Sequence, residues 1–112
     1  MTAAKVRELV QGCCGLIDPG MDAADAEVVA ARFKALADPT RVRILNLLAR
    51  NPELCVCDMN ASFDLSQPTI SHHLSLLKKA GLVECDVRGR WAFYRAKPEA
   101  ITELARVLEV KA

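Results

Sequence analysis

The chain has 112 residues, 52% of them hydrophobic and only 4% aromatic, enough for one domain with an aliphatic core. Its formal net charge of +1 argues neither for nor against a polyanionic partner. The absence of an apolar signal core near the start and of any bilayer-length apolar run predicts a cytoplasmic protein without a membrane partner.

The charges are unevenly placed. Residues 1–30 carry Lys5 and Arg7 against Glu8, Asp18, Asp22, Asp25 and Glu27, whereas residues 62–95 carry Lys78, Lys79, Arg88, Arg90 and Arg95 against Asp64, Glu84 and Asp86. Positive charge therefore gathers in the later segment, as on a nucleic-acid-binding surface.

In chain order, residues 3–11 predict a short helix with Val6, Leu9 and Val10 on one side, followed by Gly12-Cys13-Cys14-Gly15. Asp18-Pro19-Gly20 is a loop signal, and Asp22 is placed to cap a helix over residues 23–37. Its expected buried stripe is Ala26, Val29, Ala30, Phe33 and Leu36 or Ala37. Asp38-Pro39 opens a third helix, in which Val42, Leu45 and Leu48, with Ile44 and Leu47 beside them, form a wide apolar face. Asn51-Pro52 closes it, and the next helix runs from about residue 54 to 63.

Asp64-Leu65-Ser66 is a tight turn into the segment around which the chain is organised, a helix with a polar front and an apolar back. Ser66 is an N-cap, Pro68 fits the first turn, Ile70, Leu74 and Leu77 repeat at core spacing, and Gly81 ends the helix. The front carries Gln67, Thr69, Ser71, His72 and Ser75, short hydrogen-bonding residues with no acid among them. Such residues suit base edges and phosphates in a major groove, whereas an ordinary solvated face carries Glu and Lys. Beyond Gly81 the period becomes two: Val83, Cys85 and Val87 alternate with charged residues, Arg88-Gly89-Arg90 turns, and Trp91, Phe93 and Arg95 alternate with Ala92, Tyr94 and Ala96. This is a hairpin with a basic tip. A last helix over residues 98–110 bears Ile101, Leu104, Ala105 and Leu108.

The predicted fold is mainly α with a small β-hairpin: a winged helix-turn-helix in a single domain over 1–112. Within it, 1–21 form an N-terminal helix and cysteine-bearing arm, 54–81 the helix-turn-helix, 82–96 the wing and 98–110 a dimerisation helix. A two-fold homodimer would cover the apolar stripes of the first and last helices and place two reading helices in successive major grooves of a pseudo-palindromic site. Ser66, Gln67, Thr69, Ser71, His72, Arg88 and Arg90 are the expected DNA-binding residues.

Four of the five cysteines come in close pairs, Cys13-Cys14 and Cys55-x-Cys57. The odd total argues against a disulfide framework, and C-x-x-C redox and zinc-ribbon spacings are absent. Paired thiolates select soft ions such as Cd(II), Pb(II), As(III) or Sb(III). Residues two apart do not share a helix face, so Cys55 and Cys57 can meet one ion only if Cys55 lies at or before the helix start or the turn distorts. Cys85, on the apolar side of the wing, reads as core. A thiol redox switch remains an alternative, while a small thiol enzyme lacks a phosphate-cradling loop before any cysteine.

Three segments in order, Phe33-Lys34-Ala35-Leu36-Ala37-Asp38-Pro39-Thr40-Arg41-Val42-Arg43-Ile44-Leu45, Glu53-Leu54-Cys55-Val56-Cys57-Asp58-Met59 and Leu65-Ser66-Gln67-Pro68-Thr69-Ile70-Ser71-His72-His73-Leu74, resemble the ArsR/SmtB family of metal- and metalloid-sensing repressors over about residues 27–108. The resemblance implies a dimeric repressor, without cofactor in its apo form, that leaves its operator when an inducer binds. The Glu-Leu-Cys-Val-Cys-Asp box is similar to those of arsenic- and cadmium/lead-sensing branches. A third box cysteine found in one arsenic-sensing pattern is replaced by Asn60, which makes Cys13 or Cys14 the natural further donor. The vicinal pair looks more like that of actinobacterial arsenic sensors, a resemblance that implies As(III) or Sb(III) as inducer, with Cd(II) or Pb(II) the alternative, on Cys13, Cys14, Cys55 and Cys57. The zinc-sensing branch uses histidines on its last helix, and 98–110 has none.

Overall fold

The computed structural model describes residues 17–111. The helix expected over 3–11, and Cys13 and Cys14, lie outside the described residues. The chain divides into two units after Ala30.

In the first unit, Asp18 Oδ1 accepts from the Gly20 N–H at 3.1 Å, and Gly20 takes a φ of +70°, which closes the expected loop. Asp22 then caps helix α1 (Ala23–Ala35), accepting from the Asp25 N–H at 2.9 Å. The helix is two residues shorter than the periodicity predicts. Its expected stripe is also not buried: no residue of α1 is. An apolar stripe needs a partner surface, and periodicity does not say where that surface lies.

In the second unit, α2 (Pro39–Arg50) starts as its sequence dictates, with Pro39 in the first turn and Asp38 accepting from the Arg41 N–H at 3.1 Å. Ile44, Leu45 and Leu48 enter the core, but Val42 is 49% exposed, so the buried face is rotated from the one predicted. After Asn51, Leu54–Cys55 form a short strand β1, not the first turn of a helix, and α3 (Val56–Phe63) begins two residues later than expected. Asp64, in the left-handed region at φ +51°, makes the turn, and the Asn60 side-chain amide donates to the Leu65 carbonyl at 2.7 Å to hold it.

Helix α4 (Gln67–Lys79) follows, with Ile70, Leu74 and Leu77 fully buried. Its end is a Schellman motif: Gly81, at φ +78°, donates to the Lys78 carbonyl, and Leu82 donates to that of Leu77, both at 3.0 Å. Strands β2 (Val83–Arg88) and β3 (Trp91–Ala96) form the wing, with Arg88 opposite Trp91 next to the turn. β1 adds to the free side of β3, giving an antiparallel sheet of order β1-β3-β2. Leu54 lies opposite Tyr94 and Cys55 opposite Phe93. Helix α5 (Pro98–Val107) closes the chain, burying Ala100 and Leu104 but leaving Leu108 72% exposed beyond its end. The core therefore sits between α2, α3, α4 and the base of the wing, around Ile44, Leu48, Met59, Ile70, Leu74, Leu77, Leu82 and Val83.

Candidate functional site

Helix α4 turns Ile70, Leu74 and Leu77 inward, and the geometry of a helix then sends Pro68, His72, Ser75 and Lys79 outward. Gln67 and His72 are exposed, and among the described residues neither side chain makes a hydrogen bond. Ser66 and Thr69 are exposed but engaged locally. The Ser66 hydroxyl accepts from the Thr69 N–H at 3.3 Å and lies 2.8 Å from the Thr69 hydroxyl. Ser71 is half-buried. With no acid in the first turn, the N-terminus of α4 offers its positive dipole end to an incoming anion undiminished.

The two wing arginines have different surroundings. Arg90 is exposed in the turn and has no ion-pair partner among the described residues. Arg88 is held from three sides. It pairs with both oxygens of Glu53 at 2.7 and 2.8 Å, with Asp86 at 2.9 Å, and its guanidinium lies 4.6 Å from the Phe93 ring centroid. The Arg88 hydrogen bond holds the Glu53 carboxyl below its ordinary range, and Glu53 and then Asp86 raise Arg88 above its own. Glu53 carries no signal for this pairing in sequence, because it lies 35 residues from Arg88.

The structure brings Cys55 and Cys57 together. Cys55 is the extended N-cap of α3, at φ −87° and ψ 166°, so it stands just before the helix, a placement that lets residues two apart converge. The two sulfurs are joined as a disulfide, with Cα atoms 5.3 Å apart. Cys55 is buried and Cys57 exposed, which leaves one side of the pair open to solvent. Asp58, not singled out from the sequence, joins the cluster: the potential ligand atoms of Cys55, Cys57 and Asp58 lie within 4.8 Å of one another. Its carboxylate accepts from the Cys55 N–H at 3.0 Å. The signal that could have found it is its position three residues after an N-cap, where an acid reaches back to the cap's N–H. Reduced, Cys55 and Cys57 present two soft sulfurs, a donor set for thiophilic ions rather than for Mg or Ca. Cys85 is free and half-buried, across the hairpin from Tyr94, whose phenol is raised by burial and by its hydrogen bond with Cys85.

A helix-turn-helix followed by a hairpin, with a polar outer face on its second helix and a basic wing tip, defines a winged helix-turn-helix regulator. Residues 38–84 match the family model described as bacterial regulatory protein, arsR family. The chain is 45% identical over 83 residues to an uncharacterized HTH-type transcriptional regulator of Methanocaldococcus jannaschii, covering 74% of this chain and 93% of that one. It is 44% identical over 77 residues to the arsenical resistance operon repressor of Escherichia coli, covering 69% of this chain and 66% of that one. It is also 42% identical over 76 residues to a cadmium resistance transcriptional regulatory protein CadC homolog of Staphylococcus aureus, covering 68% of this chain and 63% of that one. Among solved structures it is similar, at a TM-score of 0.67 and 35% identity over 76% of this chain and 79% of the other, to a homodimeric winged helix-turn-helix DNA-binding domain from Mycobacterium bovis. The chain belongs to the ArsR family of bacterial transcriptional regulators. Its relatives are regulators, not enzymes. Among the described residues, no helix is long and apolar enough to cross a membrane.

Proposed function

We propose that this chain is a cytoplasmic, homodimeric repressor that binds a pseudo-palindromic operator of a resistance operon and is released when As(III) or Sb(III) binds its cysteine thiolates. The convergence of Cys55 and Cys57 at the start of the helix-turn-helix carries this reading. For zinc, two sulfurs each about 2.3 Å from one ion can lie at most about 4.6 Å apart. Cα atoms 5.3 Å apart allow that separation once the disulfide is reduced. Because Asn60 stands where a third box cysteine would complete a three-sulfur site, Cys13 or Cys14 is the further donor, from the same or the other subunit. Gln67, Thr69, Ser71 and His72 read bases or phosphates, Ser66 caps the reading helix, and Arg90 meets the DNA backbone from the wing. Arg88 reaches DNA only after giving up some of its contacts to Glu53 and Asp86. The second copy covers the unburied stripe of α1 and the exposed Leu108 and Val110 beyond α5.

The similarity to a cadmium resistance regulator favours a second reading, a Cd(II) or Pb(II) sensor using all four thiolates. Operator-bound protein titrated in reducing buffer with arsenite, Cd(II), Pb(II) and Zn(II) decides between them. Release by arsenite at the lowest concentration, lost in Cys55→Ser and in the Cys13→Ser/Cys14→Ser double variant, is the expected result. Release by Cd(II) or Pb(II) with arsenite inert would replace the inducer. Cysteine-dependent release by peroxide with no added ion, reversed by reductant, would instead support oxidation of Cys13-Cys14 or Cys55-Cys57 as the signal.

A further inference from the structure

We propose that the Glu53–Arg88 ion pair is a positioning contact that carries occupancy of the Cys55–Cys57 site to the wing. The proposal rests on the sensor reading of that site and deepens it by naming the output.

The observation behind it is the double duty of β1. Cys55 is at once the N-cap of α3, a sulfur donor and the residue opposite Phe93 in the sheet. A strand two residues long is a weak tether by itself. Immediately before it, Glu53 receives two parallel hydrogen bonds from Arg88, at 2.7 and 2.8 Å. Arg88 in turn rests over Phe93, the strand partner of Cys55, and Arg95 approaches Glu53 at 3.8 Å. Residues 53–55 are thus clamped to both strands of the wing, one residue short of its Gly89-Arg90 tip.

The pair is exposed enough, with side chains 47% and 31% accessible, that it adds little to folding stability. Its bidentate geometry instead fixes orientation, which a single hydrogen bond or a point charge does not. An ion that draws the two sulfurs into its own coordination geometry pulls on the strand that carries Cys55, and the clamp transfers any displacement of that strand to β2 and β3. The competing route runs from α3 through the Asn60–Leu65 contact into α4 and does not pass through Glu53.

The test uses the full-length, reduced protein and labelled operator duplex. Cd(II) and arsenite are each titrated into wild type, Glu53→Gln, Arg88→Lys and the charge-exchanged Glu53→Arg/Arg88→Glu double variant. Thiolate-to-ion absorbance measures binding, operator affinity with and without ion measures coupling, and the emission of Trp91, the single tryptophan, reports on the wing. In Glu53→Gln we expect ion binding close to wild type and ion-free operator affinity at or above wild type, since Arg88 is then less held by residue 53. The fold-loss of operator affinity on ion binding should fall about tenfold, and the Trp91 response should vanish. Arg88→Lys should lose coupling similarly, and the exchanged pair should recover part of it.

Wild-type coupling and Trp91 response in Glu53→Gln would overturn the proposal and leave the sensor reading standing. Failure of wild type to give a thiolate band or operator release with either ion would overturn the sensor reading, and the proposal with it.

Discussion

Nδ1 of His73 lies 3.3 Å from Nη1 of Arg41, so the second histidine of α4 faces α2 while its neighbour His72 faces outward. Arginine can only donate, and the contact therefore requires His73 to present an unprotonated Nδ1. Two adjacent histidines consequently have separate roles. We predict that His73→Ala lowers stability by about 0.5–1.5 kcal/mol, the range of a single hydrogen bond, with little change in operator affinity. His72→Ala should do the reverse. Urea denaturation and operator titration of both variants check this, and equal effects of the two would refute the separation.

Gln67 and Arg90 should fail differently. If Gln67 touches a base edge, Gln67→Ala weakens operator binding by about 1–3 kcal/mol and random-duplex binding far less. Arg90→Ala should weaken both duplexes alike and shallow the salt dependence by about one unit. Equal loss on operator and random DNA for Gln67→Ala would remove it from the reading face.

Asp38 ties α2 to acid stability. The backbone N–H of Arg41 holds its carboxyl below the ordinary aspartate value of 3.8, and the charge of Arg41 acts in the same direction. A carboxyl lowered in the fold contributes fully above its unfolded value and loses that contribution as pH falls through the folded one. Asp38→Ala should therefore melt below wild type at neutral pH, with the gap closing only under acid below 3.8. Asp38→Asn, which still caps, should stay nearer wild type at neutral pH. Circular-dichroism melts across that range measure it, and a gap independent of pH would contradict the assignment.

Gly81 and Gly89 both have positive φ, +78° and +63°, but different surroundings. A Cβ at Gly81 would lie 3.3 Å from the Arg32 guanidinium, while one at Gly89 would meet nothing within 4 Å. Arg32 donates to the Ala80 carbonyl at 3.1 Å and pairs with Glu103 at 2.9 Å, so it is not free to retreat. Gly89→Ala should cost about 1–2 kcal/mol from backbone strain alone. Gly81→Ala should cost more, and denaturation midpoints give the order. A Gly81→Ala midpoint equal to that of Gly89→Ala would mean that Arg32 adjusts without loss.

Local chemistry made much of the fold legible. Caps at Asp22 and Ser66, the boundary at Asp38 with Pro39 in a first helical turn, the left-handed Gly81 and the two-residue period after it all act within a few residues, and each appears where its residue type places it. The requirement that Cys55 precede its helix also followed from helix geometry and is met. The strand at Leu54–Cys55 was not legible, because two residues have no periodicity and their pairing partner lies about forty residues away. Asp58 was overlooked because its carboxylate matters only once Cys55 is known to be the cap.

By itself the sequence determined the order of the helices and the wing hairpin, the polar front of α4 and the pairing of sulfurs in the box, since these depend on side-chain type and short-range spacing. Only the tertiary structure decided that Val42 stays outside, that no residue of α1 is buried, that Arg88 is held by Glu53 and Asp86, and that the thiolate box begins in a strand of the wing's own sheet. Each of these is a long-range pairing or the lack of one. Periodicity marks which side of an element seeks a partner, and packing alone determines which partner it meets.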